Sequence, residues 1–169
     1  MRAADPSSAM PGRLLALGSE PTPLDVVPDA GTVLAFDFGE KRIGVAVGEL
    51  EVRIPHAVTV IPAEPKVERY REAQRLVDEW RPVLFAVGLP SRADGSQHDL
   101  SPLCRKFARS LEGRFGIPVL LVDERLSSAS ASAALNEVGI RGGAQKAHLD
   151  ATAAAEILAT LFSEIDAAA

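Results

Sequence analysis

Thr32-Val33-Leu34-Ala35-Phe36-Asp37-Phe38-Gly39-Glu40-Lys41-Arg42-Ile43-Gly44-Val45-Ala46-Val47-Gly48 decides how the rest of the chain is read. Two apolar runs of strand length flank a short polar turn, and one acid, Asp37, interrupts the first run. Val33 to Phe36 is apolar without alternation, the pattern of a strand covered on both faces. A carboxylate at the end of such a strand loses hydration, which is costly unless a cation or hydrogen-bond donors compensate it. The turn brings the small residues Gly39 and Gly44 and the cations Lys41 and Arg42, so backbone can approach a phosphate there. An acid for a metal beside glycines and cations for a phosphate points to phosphoryl chemistry. A turn acid that caps Gly39 or pairs with Lys41 explains the same residues without any function.

Working outward, the chain has 169 residues, enough for one domain with a sizeable core. Hydrophobic residues make up 47% and charged residues 24%, both ordinary for a globular protein. No apolar run reaches the roughly 20 residues of a membrane span, and Met1 to Glu20 lacks the apolar segment of a signal peptide. The one cysteine, Cys104, has no partner for an internal disulfide and is read as a buried helix residue. These features predict a cytoplasmic protein without a membrane partner. The formal net charge of −5 argues mildly against nucleic acid. The excess of acids lies at the two ends, however, and residues 31–150 carry 16 cations and 16 acids.

Residues 1–30 hold prolines at 6, 11, 21, 23 and 28 and read as a flexible extension, leaving 31–169 as the folded domain. Beyond the opening stretch, Val52 to Ile61 reads as a third strand interrupted by Pro55, which places it at a sheet edge or at a bulge. The three strands form an antiparallel meander. Val67, Tyr70, Ala73, Leu76, Val77 and Trp80 follow helical spacing over 65–80, ended by Pro82. Val83 to Gly88 is a buried strand whose C-terminal loop carries Arg92, at the edge where open α/β sheets place ligands. A helix over about 101–114, with Leu103, Phe107 and Leu111 on one face, stops at Gly116.

Pro118 to Val122 is a further apolar strand that ends in Asp123-Glu124-Arg125. The two acids point to opposite faces, so at most one shares a site with Asp37, and spacing alone does not say which. A helix over about 128–138 is followed by a basic loop, 139–146, containing Arg141 and Lys146. In the last helix, about 145–165, Asp150, Ala154, Ile157, Leu161 and Ile165 form a single stripe. An acid on the stripe that faces the sheet needs a cation or a capping role, which makes Asp150 a candidate working carboxylate. His148 points elsewhere.

The order of strands and helices resembles the ribonuclease H-like fold: a five-stranded mixed α/β sheet, the meander plus two parallel strands, flanked by helices. The motifs are more specific than the order. Phe36-Asp37-Phe38-Gly39 with Lys41 to Ala46, Val87-Gly88-Leu89-Pro90 with Asp94-Gly95-Ser96, Asp123 to Ser128, and Lys146 with Asp150-Ala151 and Ala153 to Leu158 occur in order. Together, over about 32–165, they resemble the bacterial family of pre-16S rRNA nucleases, also described as Holliday junction resolvases. The resemblance implies a divalent-metal-dependent endonuclease acting on the RNA of the small-subunit precursor, within a pre-ribosomal particle or outside it, or on branched DNA.

It implies Asp37, Glu124 and Asp150 as the catalytic, metal-binding acids, and it selects Glu124 over Asp123. Oxygen ligands of this kind suit Mg²⁺ or Mn²⁺. Lys41, Arg42, Arg92, Arg125, Arg141 and Lys146 would then contact the nucleic-acid backbone. Ser127 and Ser128 stand where the family usually has Thr. Two rival classes share the fold: a nucleotide-binding switch of the actin-like kind, which needs a second similar domain, and a non-catalytic ribosome-assembly factor. A junction resolvase should be a symmetric dimer, and the absence of a clear dimer surface puts RNA ahead of branched DNA.

Overall fold

In the computed structural model of the chain, residues 15–16, 27–90, 99–124 and 142–168 are described, with 15–16, 142–150 and 168 as backbone alone. The strands are β1 (Leu15–Ala16), β2 (Thr32–Phe38), β3 (Arg42–Glu49), β4 (His56–Pro62), β5 (Leu84–Leu89) and β6 (Val119–Asp123). The helices are α1 (Lys66–Trp80), α2 (Ser101–Phe115) and α3 (Gly142–Ala168). The sheet order is β1-β6-β5-β2-β3-β4, with β2, β3 and β4 antiparallel and β5 and β6 parallel to β2.

The meander and the two parallel strands are the five expected. The addition is β1, whose two residues pair parallel with Leu120 and Leu121. It comes from the segment read as an extension, where two residues leave no period to detect. The expected helix over 128–138 lies outside the described residues. No helix among the described residues is long and apolar enough to cross a membrane.

Strand β2 is the centre of the sheet. Val33, Leu34, Ala35 and Phe36 are all 0% exposed, as a strand covered on both faces requires. Its side chains divide between two cores. Leu34, Phe36 and Phe38 join Ile43, Phe85, Leu121 and Phe107 beneath α1 and α2. Val33 and Ala35 join Ala46, Ala86, Val122, Ala154, Ile157 and Leu161 beneath α3. The faces differ in bulk: aromatic rings interlock on the first, with Phe36 and Phe107 centroids 5.5 Å apart, whereas Ala35, Ala46, Gly48 and Ala86 let α3 lie close to the second. At Gly48 a Cβ would come within 2.8 Å of the Phe162 ring.

Two boundaries and one buried position depart from the sequence reading. Strand β4 begins at His56, after Pro55, because Val52 and Ile54 lie in the preceding turn, 57% and 54% exposed. Pro55 therefore precedes the strand, which is nonetheless at the sheet edge and has a register irregularity opposite Val45/Ala46. In α1, helical spacing predicts Val67 on the buried face, but it is 65% exposed and Arg69 is buried in its place. Helix α3 starts at Gly142, so Lys146 belongs to a helix and not to a basic loop. The helix ends follow local chemistry. Arg81 and Gly116 adopt left-handed conformations, and their N–H groups donate to Val77 and Glu112 carbonyls at 2.8 Å.

Candidate active site

Asp37 is the next-to-last residue of β2 and continues the Val33, Ala35 parity, so it faces α3. Its antiparallel neighbour is Gly44. The β2–β5 register pairs Phe36 with Val87, and its next step places Gly88 on the other side of Asp37. The half-buried carboxylate therefore stands between two positions without side chains.

Glu124 completes the row. In β6, Leu120 and Val122 face α3 while Val119 and Leu121 face α1 and α2. That parity takes Asp123 to the far face and Glu124 to the face of Asp37. A Cβ built on Gly88 would lie 3.0 Å from Glu124 Oε2, so this carboxylate reaches over β5. It sits about one strand spacing, ~4.8 Å, from the strand that carries Asp37. Burial, and then the neighbouring Asp123, raise the Glu124 carboxyl above the ordinary carboxylate range.

Gly88 is the residue whose role sequence reasoning missed. The same Cβ would lie 2.4 Å from Ile157 Cδ1, so Gly88 lets both the Glu124 carboxylate and α3 approach the sheet. A glycine closing an otherwise apolar strand is the signal that marks it. Gly88→Ala is expected to destabilise the fold by about 1–3 kcal/mol. Adding Ile157→Val, which removes the clashing Cδ1, is expected to return most of that loss in a thermal melt. No recovery would show that the clash lies elsewhere.

The other expected residues distribute unevenly. Lys41 is exposed in the turn after β2 and Arg42 is half-buried at the start of β3. Gly39 serves that turn directly, because a Cβ there would lie 2.6 Å from the Arg42 carbonyl oxygen. Positions 146 and 150 lie on the backbone of α3, with 150 one turn before the buried Ala154. The side chains of Lys146 and Asp150 lie outside the described residues, as do Arg92, Arg125 and Arg141 entirely. Among the described residues no group of three or more His, Cys, Asp or Glu could hold a metal ion. Asp37 and Glu124 supply hard oxygen donors around a glycine-lined space, a donor set that fits a divalent cation.

Cys104 packs at the first turns of α2, 1% exposed. Burial, reinforced by the carboxylates of Glu124 and Asp37, pushes its thiol up to about 12. It is a packing residue, since the thiolate is the reactive form. The native protein is expected to leave Ellman's reagent unreacted at pH 8 and to react fully once denatured. Rapid native labelling would contradict this.

A family model described as "RuvX: Holliday junction resolvase" matches residues 31–164. A protein of Methylobacillus flagellatus named "Putative pre-16S rRNA nuclease" is 54% identical over 132 residues, 78% of this chain and 90% of the relative. A relative of the same name from Nitrosospira multiformis is 51% identical over 140 residues, 83% of this chain and 93% of the other. Among solved structures, T. thermophilus RuvC in complex with a Holliday junction substrate superposes with a TM-score of 0.52 at 17% identity. That match covers 80% of this chain and 96% of RuvC. The likeness is one of fold, and the fold is ribonuclease H-like.

Proposed function

This chain belongs to the RuvX family and is a nuclease, and on that premise we propose that it is a divalent-metal-dependent endonuclease that matures the 5′ end of pre-16S ribosomal RNA. The observation that carries the reading is the row Asp37–Gly88–Glu124 at the C-terminal edge of the parallel strands, on the face covered by α3. Asp37, Glu124 and Asp150 would hold Mg²⁺ or Mn²⁺. The cation, when bound, supplies Lewis-acid stabilisation of the phosphoryl oxygens and activation of water for attack. Lys41 in the turn after β2 and Arg42 at the start of β3 place positive charge near Asp37, where a substrate backbone would pass. Arg92, Arg125, Arg141 and Lys146 extend that contact in this reading. The substrate is met in the cytoplasm, within a pre-ribosomal particle.

The names of the relatives support the RNA substrate. The description of the family supports a second reading, resolution of branched DNA, which requires two opposed cuts and hence a symmetric pair of sites. Single-turnover assays with Mg²⁺ and then Mn²⁺ test the two side by side, on end-labelled small-subunit precursor RNA and on a four-way DNA junction. Metal-dependent cutting of the RNA alone is expected. Cutting of the junction alone would move the assignment to recombination. Cutting of neither would favour an assembly factor.

A further inference from the structure

Behind β2, on the face opposite Asp37, a cavity of about 350 Å³ opens between α1 and α2. Four cations, Lys66, Arg69, Lys106 and Arg114, line it against two carboxylates, Glu40 and Glu64. None of the four belongs to the set of cations assigned to the nucleic-acid backbone around the cleavage edge. The cavity begins where that edge ends: Phe38 and Glu40, which line it, lie one and three residues after Asp37.

Arg69 distinguishes this cavity from an ordinary basic surface. It is 6% exposed, yet among the described residues it has no carboxylate within ion-pair distance. Its Nε–H donates to the Ala63 carbonyl at 2.9 Å, and Nη1 makes a long 3.4 Å contact to the Tyr70 hydroxyl. Its Cζ lies 5.2 Å from the Phe38 ring centroid and 5.7 Å from that of Phe107. A buried charge is costly unless it is paired. Ring faces compensate part of that cost, and a guanidinium has five N–H donors, more than these bonds use. Arg114 stacks on Tyr70, its Cζ 3.7 Å from the ring centroid, and like Lys66 and Lys106 it is exposed. A rigid planar fork held on aromatic rings, with exposed ammonium groups lining the same cavity, matches the oxygens of a phosphate.

We propose that this cavity takes a backbone phosphate of the nucleic-acid substrate, anchored by Arg69 and flanked by Lys66, Lys106 and Arg114. The proposal rests on the nuclease reading and deepens it. A strand whose scissile bond lies over Asp37 turns across the end of β2 and seats a flanking phosphate on the opposite face. The site gives affinity and register and reads no bases.

The test measures binding without turnover. Fluorescence anisotropy with labelled small-subunit precursor RNA, and with a labelled four-way DNA junction, is followed over a salt series in EDTA. The Lys66→Ala/Lys106→Ala pair and Arg69→Gln are compared with wild type, and Arg75→Ala on the exposed face of α1 is the control. The paired variant is expected to bind at least about fivefold more weakly. The slope of log K against log[salt] should become shallower by about 0.7–0.9 for each phosphate that is no longer neutralised. Arg69→Gln should do the same with an unchanged circular dichroism spectrum, and Arg75→Ala should match wild type. If Arg69→Gln fails to fold, the exposed lysine pair decides. Wild-type affinity and slope in that pair, or an equal loss in Arg75→Ala, would overturn the cavity alone. Wild type binding neither nucleic acid would overturn the nuclease reading along with it.

Discussion

Asp37→Asn is expected to reduce single-turnover cleavage by about a hundred- to a thousandfold, the scale on which one preorganised charge-stabilising group acts in a closed site. The substitution keeps the shape of the side chain and removes its charge. Asp37 stands between Gly44 and Gly88, so its two strand neighbours carry no side chain that could take over its position. The fold should tolerate the change, because the core around β2 is made by Val33 to Phe36. A thermal melt at or above that of wild type, combined with lost cleavage, is the expected pair of results. Cleavage at the wild-type rate would remove Asp37 from the site.

Glu124→Gln is expected to separate function from stability still more clearly. Cleavage should fall by a similar hundred- to thousandfold factor, while the melting temperature at pH 7 in EDTA should rise. The sign follows from burial. The folded protein raises the Glu124 carboxyl, first by desolvation and then through Asp123. A carboxyl that binds its proton more tightly when folded adds stability below its unfolded value, and that contribution is lost as pH rises through the raised folded value. At neutral pH the ionised group is a net cost, which Gln removes. The gain over wild type should therefore shrink on titration from pH 7 toward pH 4. A melting temperature lower than wild type at pH 7 would contradict this account.

Much of this arrangement is legible in the residues. Continuous apolar runs identify β2, β5 and β6 because strands covered on both faces carry no polar alternation. The stripe through Ala154, Ile157 and Leu161 identifies the face of α3, and all three are buried. The misplacements have physical reasons. Val52 and Ile54 alternate as a strand would, but apolar residues in an exposed turn have the same period. Hydrophobicity alone puts Val67 on the buried stripe of α1 ahead of Arg69, a cation that the Phe38 and Phe107 rings and the Ala63 carbonyl help to accommodate in a core.

Glu124 and Asp123 are inseparable by spacing, since alternation assigns them opposite faces without saying which face α3 covers. The parity of Leu120 and Val122 supplies that direction. Gly88 is visible as a motif residue, but its purpose depends on a helix 69 positions later, at Ile157.

In the proposed function, the acids at the strand edge and on α3 act as one cleavage site. The most direct measurement is a cycle of single-turnover rates on small-subunit precursor RNA with Mg²⁺, for wild type, Asp37→Asn, Asp150→Asn and the double variant. Groups that act as a unit are strongly non-additive. The double variant is therefore expected to be no slower than the slower single variant, within error. Losses that multiply would show two carboxylates working independently, and a wild-type rate in either single variant would contradict the site.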